Sequence, residues 1–166
     1  VNAYQPLTEE ANKFKNIIVA GLGGSGIAGW IVKQFFYRIA HIPIEVISSY
    51  QLPAYAGSQT LLILSSYSGN TEEVLALADE AKAKGCHIRA LTTNGQLEQE
   101  AKNEKWPVYY AEPGFQPRMA LGYSLTYLLL LLGDLFHYPL ENTLRRISYD
   151  FRDSEYFLSL AKQYYP

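Results

Sequence analysis

Short β-forming runs alternate with longer amphipathic runs along this chain, and that alternation leaves few folds open to it. Residues 16–20, 43–48, 60–65 and 87–93 read as strands rich in Ile, Val and Leu. Residues 106–110 read as a fifth, short strand, and Pro107 places it at an edge or at a strand start. Helices are expected over about 27–38, 71–84 and 96–105, the second stopped by Gly85. Two more are expected over about 118–137 and from 140 onward. Strands separated by helices of this length require right-handed βαβ crossovers and a parallel sheet. The expected fold class is therefore α/β: a three-layer αβα sandwich around a five-stranded parallel sheet, in a flavodoxin-like arrangement. Ile31, Phe35 and Ile39 follow helical spacing, and Leu144, Ile147, Phe151 and Tyr156 are candidate core contacts of the last helix. The chain has 166 residues, 48% of them hydrophobic, and no internal linker, so one domain over 1–166 is expected.

The charge pattern narrows the partners. Formal net charge is −2 and no Lys/Arg-rich run occurs, which argues against nucleic acid. Cys86 is the only cysteine; it excludes a disulfide framework and suits a reducing cytoplasm. The densest apolar stretch, 124–132, is broken by Gly133 and Asp134. It falls short of the roughly 20 residues a spanning helix needs, so no membrane segment is expected. It reads instead as a buried or interface helix. The chain opens at Val1 without a methionine, so the lack of a targeting segment carries little weight. The bulky ending Tyr164-Tyr165-Pro166 fits a chain that continues into further structure. No cluster has metal-ligand spacing, and neither a metal nor a cofactor is expected.

Two loops carry the chemistry. In such sheets ligands bind beyond the C-terminal strand ends, and both loops should lie there. The first, after strand one, contains Gly21, Gly23 and Gly26 in G-x-G-x-x-G spacing. A dinucleotide site also needs an acidic residue at the end of strand two; Glu45 lies inside that strand, not at its end. A tight βα turn accounts for the glycines, while Gly24 and Ser25 place bare backbone and a hydroxyl where a ligand could approach. The second loop, Ser65-Ser66-Tyr67-Ser68-Gly69-Asn70-Thr71-Glu72-Glu73, joins strand three to a helix. Ser66, Ser68 and Thr71 offer O–H donors, Gly69 permits positive φ, and a helix N-terminus adds partial positive charge. That combination suits a phosphate without a lysine. Thr71 could equally serve as an N-cap, and Glu72 and Glu73 read as partners of the helix dipole.

The run Gly23-Gly24-Ser25-Gly26-Ile27-Ala28-Gly29, the run 66–73 and Gln116-Pro117-Arg118 together resemble the SIS (sugar isomerase) domain. Within it they resemble the bifunctional phosphoglucose/phosphomannose isomerases, with the three motifs in the family's order and the resemblance covering nearly the whole chain. The resemblance implies an aldose–ketose isomerase acting on glucose 6-phosphate, mannose 6-phosphate and fructose 6-phosphate. It implies that Gly24 and Ser25 contact the sugar or its phosphate and that Ser66, Ser68 and Thr71 cradle the phosphate. It implies that Arg118 stabilises the negative charge of a cis-enediolate, as a fixed cation would.

Two departures stand out. Trp30 occupies a position where the family usually has an acidic residue. The family also carries two SIS domains in tandem, with the catalytic glutamate and ring-opening histidine in or just before the second. This chain resembles the first domain of such a pair. His41 and His87 belong to the strand edge away from the ligand, and His137 ends a helix, so none reads as a replacement. Glu112 is the one local candidate for a base, against a plainer reading as a solvated loop residue. A homodimer is expected from the apolar 128–132 run and the tyrosine-rich C-terminal segment. Two rival functions remain: a phosphosugar-sensing domain of a regulator, and a single-domain SIS isomerase for another phosphosugar.

Overall fold

The structure is a computed structural model that describes residues 4–150 and Ser159. The expected core contacts Phe151 and Tyr156, and the ending 164–166, lie outside the described residues. Five parallel strands form one sheet: β1 (Asn16–Gly21), β2 (Ile44–Ile47), β3 (Thr60–Ser65), β4 (His87–Thr92) and β5 (Val108–Tyr110). Their order is β2-β1-β3-β4-β5. The helices are α1 (Gly23–Phe35), α2 (Glu72–Ala83), α3 (Gly95–Glu104), α4 (Leu121–Leu135) and α5 (Glu141–Asp150). Short 3-10 turns occupy Ala11–Lys13, Phe36–Arg38 and Pro117–Ala120.

The sheet is covered on both faces, which explains why its strands read as continuous apolar runs. All six residues of β3 are buried. Alternate side chains face opposite layers. Ile17, Val19, Leu61 and Ile63 pack with Ala28, Val32 and Phe36 of the α1 end and with Leu128 and Leu131 of α4. Ile18, Ala20, Leu62 and Leu64 pack with Val74, Leu77 and Ala78 of α2 and with Leu97 of α3. Helices α1 and α2 thus leave neighbouring strands toward opposite faces. The gap between β1 and β3 is the switch point where a crevice opens in this topology.

Three expectations need correction. Helix α1 starts at Gly23, four residues earlier than its apolar pattern suggests. The amides of Ser25 and Gly26 both donate to the Leu22 carbonyl, at 3.1 and 3.3 Å, so the glycine-rich stretch is the first helical turn. The core stripe of α1 is Ala28 and Val32, continued by Phe36, whereas Ile31 and Phe35 face outward beside Ile27 and Trp30. Of the two readings of the 128–132 run the structure bears out the buried helix: Leu128, Leu130, Leu131 and Leu132 are all in the core. In the last helix Leu144 packs on that core and Ile147 stays exposed.

One region had no sequence signal. Residues 4–14 lie over the α1/α4 face, with Leu7, Ala11 and Phe14 buried there. Their polar groups are paired: the Tyr4 hydroxyl with the Asp134 carboxylate, the Leu7 amide with the same carboxylate at 3.1 Å, and Glu9 with Arg89. No helix among the described residues is long and apolar enough to cross a membrane.

Candidate functional site

The parallel register sets the site. Gly21, which ends β1, pairs with Ser65, which ends β3. The glycine-serine turn and the hydroxyl loop therefore leave the sheet side by side. The N-termini of α1, α2 and α3 all begin at this same edge, each with first-turn amides that have no partner within the helix.

The hydroxyl loop is built from inside and braced from outside. Ser66 is buried; its amide donates to the Leu91 carbonyl at 3.0 Å, and its carbonyl accepts from the Gly69 amide at 3.1 Å. Its hydroxyl meets the Thr71 hydroxyl at 2.7 Å. Thr71 occupies the N-cap position of α2 but makes no side-chain capping bond, because its oxygen is committed to Ser66. One hydrogen of that hydroxyl pair lies between the two oxygens, which leaves the other to donate outward. The Ser68 oxygen accepts from the Asn70 amide at 3.2 Å, leaving its hydrogen available to a ligand.

The brace comes from the turn between β4 and α3. Thr93 donates twice to the Tyr67 carbonyl, from its amide at 3.1 Å and its hydroxyl at 2.7 Å. The Leu97 amide donates to the Gly69 carbonyl at 2.9 Å, and the Gln96 amide to the Asn70 side-chain oxygen at 3.0 Å. Gly69 has φ +68°, and a Cβ there would come within 1.7 Å of the Asn94 carbonyl. Only glycine fits. Such a loop needs little reorganisation to receive an anion.

The second wall is the start of α1 against the 117–120 turn. A Cβ on Gly24 would lie 3.1 Å from the Pro117 carbonyl and 3.6 Å from the Arg118 Cα. Gly24 therefore lets the two backbones approach, and it places Arg118 directly over the N-terminus of α1. Ser25 is buried in the first turn of α1, against the end of β1. Arg118 is exposed and forms no hydrogen bond or ion pair with any described residue. Its backbone lies against the N-terminus of α1, and none of the described carboxylates neutralises its guanidinium.

All six sequence-derived site residues, Gly24, Ser25, Ser66, Ser68, Thr71 and Arg118, thus lie in the loops and first helical turns of one sheet edge. Ser65 adds an oxygen that was not singled out. It is fully buried at the end of β3 and its hydroxyl has no partner among the described residues. Tyr67 and Asn70 also escaped notice, because their roles depend on loops that are remote in sequence. The histidines lie elsewhere. His41 stacks edge-on against Phe136, and His137 pairs with Glu10 at 3.3 Å. His87 sits against Phe14, and burial together with Lys13 and Arg89 pushes its pKa down. Glu112 is exposed in the loop after β5. Trp30 is 56% exposed on α1, with the Lys33 ammonium 4.9 Å from its ring centre.

The site offers hydroxyls, amides and one guanidinium, a set that fits an anion. No group of three or more His, Cys, Asp or Glu among the described residues could hold a metal ion. A separate cavity of about 510 Å³ opens beside the end of β2. Its lining includes Glu45, Tyr50 and Gln51 but no lysine or arginine, which makes it a poor anion site.

Comparison with known proteins agrees with this geometry. The SIS domain profile matches residues 12–106. The bifunctional phosphoglucose/phosphomannose isomerase of Caldicellulosiruptor bescii is 46% identical over 126 residues, covering 76% of this chain and 37% of the relative. The enzyme of the same name from Aquifex aeolicus is 37% identical over 131 residues, covering 78% of this chain and 41% of the relative. A solved Bacillus subtilis structure described as a phosphosugar isomerase superposes with a TM-score of 0.60 at 28% identity, covering 78% of this chain and 40% of that one. The chain therefore spans less than half the length of these relatives. With its α/β sheet, its braced hydroxyl loop and this profile match, the chain belongs to the SIS domain family.

Proposed function

We propose that the chain is the first of two tandem SIS domains of an isomerase interconverting glucose 6-phosphate or mannose 6-phosphate with fructose 6-phosphate. The carrying observation is the placement, on one sheet edge, of a preorganised hydroxyl loop and an arginine that pairs with no described residue. The names of the relatives supply the substrate class. Ser66, Ser68 and Thr71, with the first amides of α2, hold the phosphate. Gly24 and Ser25 hold the sugar end at the start of α1.

Isomerisation moves one proton between C1 and C2 of the open-chain sugar. Removal of the proton from the carbon beside the carbonyl leaves an enediolate with charge on oxygen. Arg118 supplies the fixed cation for that charge, and reprotonation at the neighbouring carbon completes the exchange. No described residue at the site is placed as both base and ring-opening acid. Those groups come from the second domain, which also accounts for the length of the relatives.

The same reading places the protein in the cytoplasm and pairs it as a homodimer. Support for pairing comes from α1, whose outer side exposes Ile27, Trp30, Ile31 and Phe35. In a coupled assay, the 166-residue chain is expected to bind sugar phosphate yet turn over far below the usual enzyme range of roughly 1–1000 s⁻¹. Turnover within that range would contradict the assignment of the base to another domain. Light scattering at micromolar concentration should show a dimer; a monomer would remove the pairing.

A further inference from the structure

We propose that Tyr67 is a positioning residue that couples the phosphate loop to Arg118 through the loop after β5. This deepens the isomerase reading above and rests on it for the meaning of Arg118. Tyr67 stands between the two serines of the hydroxyl loop, and its carbonyl is held by Thr93. Its ring leaves that loop and reaches the segment that carries Gln116-Pro117-Arg118. There the phenol oxygen accepts from the Phe115 amide at 2.9 Å and donates to the Glu112 carbonyl at 2.8 Å.

Both bonds span more than forty residues of sequence and close the 112–115 turn. The hydroxyl hydrogen is consumed by one of them, so Tyr67 has no proton left to give a substrate. That separates it from Ser68 and from the Ser66–Thr71 pair, which each keep one hydroxyl hydrogen for a ligand. Arg118 depends on this clamp. The turn that carries it is held locally, by Met119 and Ala120 amides donating to the Gln116 carbonyl at 2.8 and 3.3 Å. Across the site it packs against α1, with a close backbone approach at Gly24. Toward the phosphate loop the connection is Tyr67. Through the clamp, the preorganised loop that seats an anion also fixes the height of Arg118 above the sugar. The distance between the phosphate and the developing oxyanion is set in the same way.

Tyr67→Phe removes the hydroxyl and keeps the ring. The two backbone groups it releases lie in an exposed loop where water can take its place, so the fold should survive. Two measurements on the full 166-residue chain decide the matter. Amide hydrogen exchange should speed up about tenfold over 112–118 and stay unchanged over 66–71. Unchanged exchange over 112–118 would overturn the coupling whatever the chain's activity is.

Calorimetry with inorganic phosphate and with a phosphosugar hydroxamate that mimics the enediolate gives the second test. Phosphate affinity should stay within about twofold, and hydroxamate affinity should fall about tenfold. Arg118→Ala added to Tyr67→Phe should then cost less than Arg118→Ala alone, as shared action requires. Equal loss for both ligands, or full additivity, would reduce Tyr67 to a structural staple and overturn the proposal. A wild-type chain that binds the hydroxamate no better than phosphate would sink the isomerase reading itself, while the exchange experiment would still decide the clamp.

Discussion

Two polar regions of this molecule are built to opposite ends. Over the α1/α4 face, residues 4–14 satisfy polar groups on α4, β4 and β5: Tyr4 and Leu7 on Asp134, Glu9 on Arg89, and the Gln5 carbonyl on the Tyr109 hydroxyl at 3.1 Å. At the C-terminal edge of the sheet the backbone is equally well bonded, yet hydroxyl hydrogens, helix-end amides and the Arg118 guanidinium are left facing outward. The first region stabilises the domain. The second, in the function we propose, keeps donors in place for the charge of a ligand. The difference teaches that unpaired donors, and not polar residues as such, mark the site. Substitutions in one region should move stability and leave binding alone; substitutions in the other should do the reverse, except where they deform the loop.

That exception gives the largest expected effect. Gly69→Ala combines a left-handed backbone with a clash against the Asn94 carbonyl, and should cost about 2–5 kcal/mol in urea unfolding. Gly114 in the loop after β5 has φ +97° but nothing within 4 Å of an added Cβ. Gly114→Ala should therefore cost only the backbone term, about 1–2 kcal/mol. Equal costs at the two glycines would show that the hydroxyl loop is not braced by the β4–α3 turn. Next, Arg118→Ala should weaken binding of the enediolate mimic by about 1.5–3 kcal/mol, with thermal stability unchanged because Arg118 pairs with no described residue.

Glu9→Gln tests the other region. It leaves the buried Arg89 without its carboxylate and should lower stability by about 1–3 kcal/mol, with phosphate affinity unaffected. The effect has a pH signature. Burial raises the Glu9 pKa, but the hydrogen bond and charge of Arg89 outweigh burial and hold it below the usual carboxylate value. The pair's contribution is therefore complete above that usual value, about 4.3. It is lost as pH falls through the depressed folded value, so the gap between wild type and variant should close on acidification. A gap that persists at low pH would show that the charge pair is not its source. The smallest expected effect is Trp30→Asp. It should change thermal stability little, since the ring is mostly exposed, while shifting light scattering toward the monomer. An unchanged dimer would show that this face of α1 is not where two chains meet.

Much of this was legible in the sequence because the signals were local. The five strands, the edge role of the strand after Pro107, and the hydroxyl loop at the start of α2 each follow from a short window of residues. What was not legible depends on contacts between windows. Ile31 and Phe35 look like core by spacing. The face of α1 turned to the sheet is instead the one carrying Ala28 and Val32, whose small side chains let the helix lie close. The 4–14 segment has no periodicity, and it is ordered by Asp134 and Arg89 more than seventy residues away. Tyr67 carries no local signal of its bonds, because its partners Glu112 and Phe115 come into reach only when β3 and β5 lie in one sheet. Candidate donors are readable from residue type; the groups that brace their loop are not.

The central claim is that residues 66–71 hold the phosphate of a sugar phosphate. It is tested most directly by calorimetric titration of glucose 6-phosphate into the wild-type chain and into the double variant Ser66→Ala, Ser68→Ala, with urea unfolding as the check on folding. The account predicts measurable binding by the wild type. It predicts a loss of about 2 kcal/mol or more in the variant, some thirtyfold in affinity, from two hydrogen bonds to a charged group. Affinity in the folded double variant equal to that of the wild type would contradict it.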